Sequence, residues 1–293
     1  MSKPLILITG ATGNTGTPVA EQLLEQGYPV RALVHRLDER SERLSELGAE
    51  VVVGDFLDLP SLVAAMKGVK RVYFVYPPAE KLLEATMNVT IAAKREGIGG
   101  LVNMSQLPSR EEAPSSLTYS HWQSEQILDW ANIGASHINP TFFAEDLYFF
   151  TGKSIATEGK MYLPFGEGKH APVAAQDIAR VVVAMLIDPK PHVGQRYAIT
   201  GSKNMNMVEV AQVLSNELGK TVEYVDLPLD YWRQALIEQP EFSEYLADHL
   251  VHVAKDHKDG VFSAQNDLVE SIGGQPPQSV EDFVRTHIDQ FTV

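Results

Sequence analysis

The stretch that decides the fold is residues 5–16, Leu-Ile-Leu-Ile-Thr-Gly-Ala-Thr-Gly-Asn-Thr-Gly. Its four leading apolar residues predict a short buried strand, and an amphipathic segment with apolar residues between 19 and 24 predicts a helix. Between the two, Gly10 permits a tight turn and Gly13 lets the backbone approach a pyrophosphate. The helix N-terminus then offers unpaired N–H groups and the positive end of its dipole. The stretch therefore predicts the phosphate-binding start of a dinucleotide-binding unit.

The following residues alternate apolar runs with amphipathic segments. Strands are predicted at 30–34, 51–53, 72–75, 101–104, 135–139 and 197–200. Such alternation implies a parallel sheet with helices on both faces. Right-handed crossovers then place the ligand crevice at the C-terminal ends of the strands. We therefore predict an α/β fold, a Rossmann-type doubly wound parallel sheet with a smaller, mostly helical C-terminal domain.

The predicted division of the chain follows the change in pattern beyond Gly201, where helical segments dominate. We assign 1–155 and 172–200 to the NAD(P)-binding Rossmann domain, and 156–171 and 201–293 to the C-terminal domain. Residues 151–175 contain four glycines, which predicts a loop-rich excursion that forms a lid or a short hairpin.

Composition excludes several classes of function. Lys and Arg number 24 and Asp and Glu 38, a net charge of −14, which disfavours direct contact with nucleic acid. Cysteine is absent, so no disulfide or thiolate chemistry is expected. No apolar run approaches the ~20 residues that span a bilayer, and no signal peptide precedes the first strand. His249 and His252 share a helix face without a supporting carboxylate pattern, so no metal site is predicted. A cytoplasmic protein follows.

Residues directly after the strands are the candidate cofactor contacts. His35 and Arg36 follow the second strand, where a basic residue suits the 2′-phosphate of NADP. Asp38 lies slightly farther on and leaves NAD open as well. Asp55 follows the third strand and either accepts a hydrogen bond from the adenine amine or caps a turn. The other predicted cofactor contacts are Gly10, Thr12, Gly13, Asn14, Thr15, Gly16, Tyr76, Pro77, Ser105, His121, Pro140, Phe142 and Phe143.

Three segments carry a resemblance to a known family: Thr-Gly-Ala-Thr-Gly-Asn-Thr-Gly at 9–16, Val-Arg-Ala-Leu-Val at 30–34 and Pro-Thr-Phe-Phe-Ala-Glu at 140–145. Together they resemble the NmrA-like family of atypical short-chain dehydrogenases/reductases. The likeness covers essentially the whole chain, including the helix start at 177–179. It implies a Rossmann domain with a smaller C-terminal domain that encloses the cleft. That family includes NADP-sensing transcriptional regulators without catalysis, and NAD(P)H-dependent reductases of quinones, dyes and other aromatics.

The catalytic residues depart from the ordinary superfamily pattern, which pairs a tyrosine acid with a lysine four residues later. Here Tyr119 is followed four residues on by the uncharged Gln123. His121 stands where many NmrA-like proteins carry a lysine; it either donates a proton, since imidazole titrates near neutral pH, or binds ribose or a backbone carbonyl. Ser105 occupies a strand end where the superfamily often carries a catalytic serine. The candidate catalytic residues are therefore His121, Ser105 and Tyr119.

Two functions remain after these steps. The favoured one is an NAD(P)H-dependent oxidoreductase that reduces a quinone-like or aromatic small molecule lying against Phe142, Phe143 and Tyr148. Quinone reduction needs little acid help because the charge of the product is delocalised, so the missing Tyr–Lys pair is tolerable. The alternative is a non-catalytic NADP(H)-sensing regulatory protein that acts through a protein partner. A protein partner and a homodimer both stay open.

Overall fold

The computed structural model describes residues 3–292 and contains a seven-stranded, wholly parallel sheet with the strand order β3-β2-β1-β4-β5-β6-β8. A separate pair, β7 and β9, is also parallel. This arrangement confirms the predicted fold class. The strands are β1 (Ile6–Ile8), β2 (Val30–Val34), β3 (Glu50–Val53), β4 (Arg71–Phe74), β5 (Leu101–Met104), β6 (Ala135–Pro140), β7 (Lys160–Leu163), β8 (Arg196–Ile199) and β9 (Glu223–Asp226).

Twelve α-helices connect and cover the strands within the described residues. They are α1 (Gly16–Glu25), α2 (Glu39–Glu46), α3 (Leu59–Met66), α4 (Leu82–Glu96), α5 (Ser116–Ala131), α6 (Glu145–Glu158), α7 (Ala175–Ile187), α8 (Met207–Leu218), α9 (Leu229–Ile237), α10 (Glu244–Lys258), α11 (Leu268–Gly273) and α12 (Val280–Thr286). Short 3₁₀ turns cover Lys190–His192 and Ile288–Phe291. One apolar core lies between the sheet, α1 and α7, and another between the sheet, α3 and α4. The sheet is therefore buried on both faces.

A further apolar core lies beyond the sheet and is built by α6, α8, α9, α10, α12 and strand β7. Leu147 and Ile155 of α6 belong to it, so α6 packs with the C-terminal elements from its first turn onward. In contrast, Val269 of α11 packs into the core beside α7. The exact domain boundaries stay a prediction, although the packing shows that the chain crosses between the two layers more than once.

The prediction of a loop-rich lid or hairpin after residue 151 was wrong for its first half. Helix α6 continues to Glu158, and β7 pairs in parallel with β9 rather than in a hairpin. The helix requires glycine at position 152, because a Cβ there would lie 2.5 Å from the carbonyl oxygen of Gln290. Gly159 then ends the helix with a φ of 67°. Both glycines thus serve close packing.

No helix within residues 3–292 has the length and apolar character needed to cross a bilayer. The same range holds no group of three or more His, Asp or Glu side chains arranged to hold a metal ion.

Candidate active site

The turn between β1 and α1 is a cradle of backbone N–H groups. Gly10 has a φ of 55°, and a Cβ on it would lie 2.7 Å from Cγ1 of Val75. A Cβ on Gly16 would lie only 2.1 Å from the carbonyl oxygen of Gly10, so the helix can start this close to the turn only with glycine. Within residues 3–292, the N–H groups of Thr12, Asn14 and Thr15 have no backbone or side-chain acceptor. Free donors at a helix N-terminus fit a pyrophosphate.

A cavity of about 750 Å³ runs from this cradle along the C-terminal ends of the strands to helix α10. Most of the predicted cofactor contacts line it, while Gly16 and Arg36 do not, and neither does the candidate catalytic residue Tyr119. Gly16 acts instead by allowing the close approach just described. The predicted residues in the wall are Gly10, Thr12, Gly13, Asn14, Thr15, His35, Asp55, Tyr76, Pro77, Ser105, His121, Pro140, Phe142 and Phe143.

The basic side chain at the adenosine end of the cavity is Arg40. Arg36 is exposed and lies outside the wall, whereas Arg40 and His35 line it. Arg40 lies 2.7 Å from a carboxylate oxygen of Asp38, which also caps α2 by accepting the N–H of Ser41. These contacts lower the pKa of Asp38. Arg40 was missed in the sequence because only residues directly after each strand were considered there. It lies farther on, in the first turn of α2, and comes near the strand ends only in the folded chain.

Of the two roles predicted for Asp55, the structure shows the capping of a turn: the Asp55 carboxylate accepts the N–H of Leu57 at 2.9 Å. It also lines the cavity beside Phe56 and Leu57. The same residue therefore shapes the loop and remains within the wall of the adenosine end.

Ser105 is buried at the end of β5 and belongs to a polar network beneath the cavity. Its hydroxyl donates to one carboxylate oxygen of Glu125, and the side-chain amide of Asn139 donates to that same oxygen at 2.8 Å. Arg196 donates to the other oxygen at 2.8 Å. With its proton committed to Glu125, the Ser105 hydroxyl faces the cavity as a fixed acceptor. Glu125 lacked any sequence signal for this role.

His121 is buried in the cavity wall and has no hydrogen-bond partner among residues 3–292. Burial, together with the nearby His249, lowers the pKa of His121 to about 3. The expectation that this imidazole titrates near neutral pH was therefore wrong, because a buried ring next to another imidazole disfavours the charged form. Neutral His121 can donate one hydrogen bond to a ligand, but it does not carry a spare proton at pH 7.

His249 faces the same cavity from α10, and the sequence did not indicate it as a site residue. Its Nδ1 lies 2.8 Å from Oγ of Ser115, the residue that caps α5. Burial, together with the nearby His252, lowers the pKa of His249 to about 4. Two neutral imidazoles from different layers of the fold therefore border the same end of the cavity.

Tyr119 is not brought together with His121 and Ser105. It is 37% exposed and stacks on Trp122, with ring centroids 5.6 Å apart. Residues two apart on a helix point to different faces, so Tyr119 and His121 cannot share the cavity wall.

Aromatic and aliphatic side chains complete this end of the cavity. Phe142 and Phe143 line it, whereas Tyr148 lies outside and stacks on Phe283 at 6.1 Å. Placing Tyr148 against a substrate was therefore wrong, since packing on α12 turns its ring away. The C-terminal elements supply the opposite wall, namely His249, Leu250, Val253 and Phe262.

The parallel sheet, the glycine cradle after β1 and the cavity at the strand ends define a Rossmann-type NAD(P)-binding protein. The profile of the NmrA-like family matches residues 2–278, and the chain belongs to this family. The resemblance read from the sequence is thereby confirmed.

Similar proteins include both enzymes and a regulator. An NAD(P)H azoreductase of Xenophilus azovorans is 29% identical over 290 residues, which covers 98% of this chain and 99% of that protein. The structure of an Escherichia coli NADPH-dependent quinone oxidoreductase with NADPH has a TM-score of 0.84 at 23% identity, covering 97% and 99% of the two chains. NmrA, a negative transcriptional regulator solved with NADP, has a TM-score of 0.81 at 17% identity, covering 99% and 97%.

Proposed function

We propose that this chain is an NAD(P)H-dependent reductase of small aromatic or quinone-like molecules. The observation that carries the proposal is one continuous cavity, which joins the phosphate cradle to an apolar end bordered by neutral histidines. An azoreductase that is 29% identical along nearly the whole chain supports the reaction class.

The residues along the cavity fit a dinucleotide in the usual Rossmann order. The free N–H groups of Thr12, Asn14 and Thr15 would hold the pyrophosphate. His35 and Arg40 would face the adenosine half. Ser105, Pro140 and Phe143 would border the nicotinamide half. The bound cofactor supplies the hydride, and the protein supplies position and a dry site.

The other end of the cavity suits an acceptor with a flat apolar body and a polar atom. Phe142, Phe143 and Val253 supply apolar surface, which excludes water from the reacting atoms. A neutral His121 donates a hydrogen bond without placing a positive charge beside the nicotinamide ring. This combination favours a quinone or an azo compound over a charged substrate.

Turnover with purified protein tests the proposal. NADPH or NADH would be mixed with a panel of quinones and azo dyes, and loss of reduced nicotinamide absorbance followed. We expect oxidation faster than in protein-free mixtures, with NADPH preferred, and no acceleration by Gly16→Ala, whose added Cβ closes the cradle. Tight dinucleotide binding without oxidation of any acceptor would refute the proposal.

The second candidate is an NADP(H)-sensing regulatory protein. The missing Tyr–Lys pair and the outward position of Tyr119 favour it, because the ordinary proton-donating dyad is absent from the cavity. It requires a protein partner whose binding changes with dinucleotide occupancy, and a pull-down with and without NADPH tests this. Location in the cytoplasm and assembly as a homodimer stay predictions.

A further inference from the structure

Hydride transfer to a neutral acceptor leaves a negative charge that a proton must neutralise. The dyad that usually supplies the proton is absent, and His121 and His249 are neutral at physiological pH because their pKa values lie at about 3 and about 4. Among residues 3–292, the remaining carboxyl group in the wall at this end of the cavity is that of Asp146.

Asp146 lies in the first turn of α6, three residues after Phe143 of the cavity wall. Its Oδ2 accepts the backbone N–H of Phe143 at 3.0 Å. Its Oδ1 has no hydrogen-bond partner within the described part of the chain. One oxygen is therefore fixed by the backbone, while the other is free to carry a proton in a largely apolar wall.

The surroundings of Asp146 favour its neutral form. Burial raises the pKa of Asp146 to about 7, the N–H of Phe143 opposes this, and the adjacent carboxylate of Glu145 adds to it. Glu145 itself points to Ala175, whose N–H it accepts at 3.1 Å, and Tyr148 is the other titratable neighbour. A general acid is most effective when its pKa is close to the working pH.

We propose that Asp146 is the proton donor to the reduced substrate. This inference rests on the proposed reductase function. The acceptor's double bond breaks as one of its atoms forms a bond to the hydride, which brings both electrons from the reduced nicotinamide. Its partner atom then takes the proton from the free oxygen of Asp146, and water returns a proton to the carboxylate. In total the acceptor gains two electrons and two protons, one as the hydride from the reduced nicotinamide and one from Asp146.

The proposal separates two substrate classes. A nitrogen anion formed from an azo group is far more basic than the delocalised oxygen anion of a reduced quinone. Azo reduction should therefore depend on Asp146 strongly, and quinone reduction weakly.

The competing explanation is that Asp146 only caps α6 through Phe143. Asp146→Asn keeps an acceptor oxygen for that N–H and loses the proton, whereas Asp146→Ala loses both. Glu145→Gln is the matched control, since it alters the neighbouring carboxyl outside the cavity wall and keeps an acceptor for Ala175.

The first measurement is a carbon NMR titration of aspartate carboxyl groups in the protein without dinucleotide. We expect one resonance to titrate near pH 7 and to vanish in Asp146→Asn. In Glu145→Gln it should persist and titrate at a somewhat lower pH, because burial still raises the pKa while the neighbouring carboxylate is gone. An Asp146 carboxyl that titrates near pH 4 would overturn the proposal, whether or not a variant folds well.

The second measurement is the pH profile of turnover. The wild-type rate with an azo dye should fall above pH 7, and Asp146→Asn should lower it at least about 100-fold and flatten that limb. Quinone turnover should fall less than about tenfold. If Asp146→Asn keeps the azo rate while the wild type reduces both classes, Asp146 is not the donor and the reductase function stands. If the wild type reduces neither, both proposals fail.

Discussion

The two ends of the cavity are built in opposite ways. The phosphate end comes from one continuous stretch, residues 9–16, and it acts through backbone N–H groups and the space that two glycines leave. The acceptor end comes from side chains on β5, α5, β6, α6 and α10, which are separated by up to about 150 residues in the chain. Local sequence therefore determines recognition of the cofactor, whereas recognition of the acceptor depends on tertiary packing.

The largest expected effect is at the phosphate end. Gly16→Ala places a Cβ 2.1 Å from the carbonyl oxygen of Gly10, so the turn must shift and the N–H groups lose their alignment. We expect NADPH affinity to fall at least about 100-fold, equal to about 2.7 kcal/mol, as measured by tryptophan fluorescence titration.

Gly99→Ala is the matched control, because a Cβ there meets no atom within 4 Å. If both glycine variants bind NADPH equally well, the cradle is not what holds the cofactor, and the contrast between the two ends disappears.

Low pH should reduce the folding stability that comes from packing at the acceptor end, and it should leave the phosphate end unaffected. Behind Phe142, Nδ1 of His170 lies 2.8 Å from Nε2 of His257, and both rings are buried. Burial lowers the pKa of His257 to about 4 and that of His170 well below its ordinary value. Below pH 6.5 the unfolded chain therefore binds more protons than the folded one. The contribution of these neutral rings to the free energy of unfolding is complete above pH 6.5 and is lost as the pH falls towards 4.

The size of this loss can be measured by urea unfolding at several pH values. One imidazole whose pKa moves from 6.5 to about 4 accounts for roughly 3 kcal/mol of unfolding free energy by pH 4. His257→Gln should make the acid-dependent fall shallower by about that amount, while His35→Gln, which changes an exposed side chain, should leave it unchanged. Parallel pH profiles for the wild type and His257→Gln would contradict the assignment.

A smaller effect is expected at the adenosine end. Arg40 lines the cavity and is held near Asp38, so Arg40→Ala should raise the KM for NADPH about tenfold and leave that for NADH nearly unchanged. Arg36→Ala is the control, because Arg36 is exposed outside the wall. The reverse result would restore Arg36 as the residue that binds the 2′-phosphate.

The phosphate end could be predicted from the sequence, whereas the acceptor end could be predicted only in part. The glycine spacing of 10, 13 and 16 predicted the cradle, and the alternation of strands and helices predicted that Ser105 and Phe142 would lie at the strand ends. His249 could not be predicted, since its position depends on how α10 packs across the cleft.

The titration of His121 shows a second limit. Its identity and its place in α5 were readable from the sequence, but its pKa depends on burial and on an imidazole 128 positions away, since His249 comes from α10. Only the packed structure brings these rings together. The chemistry of the acceptor end is thus a property of the fold, even where each residue was visible in the sequence.

The smallest expected effect concerns Tyr119, the one tyrosine that the sequence offered as an acid. Its ring stacks on Trp122 at the surface and its hydroxyl lies outside the cavity wall. Tyr119→Phe keeps the stacking and removes only the hydroxyl, so the turnover number and the KM for NADPH should change less than about twofold, within the range of surface substitutions. A loss of turnover with an unchanged KM would instead mean that α5 rotates during catalysis, and the acceptor end would then be assembled only when substrate is bound.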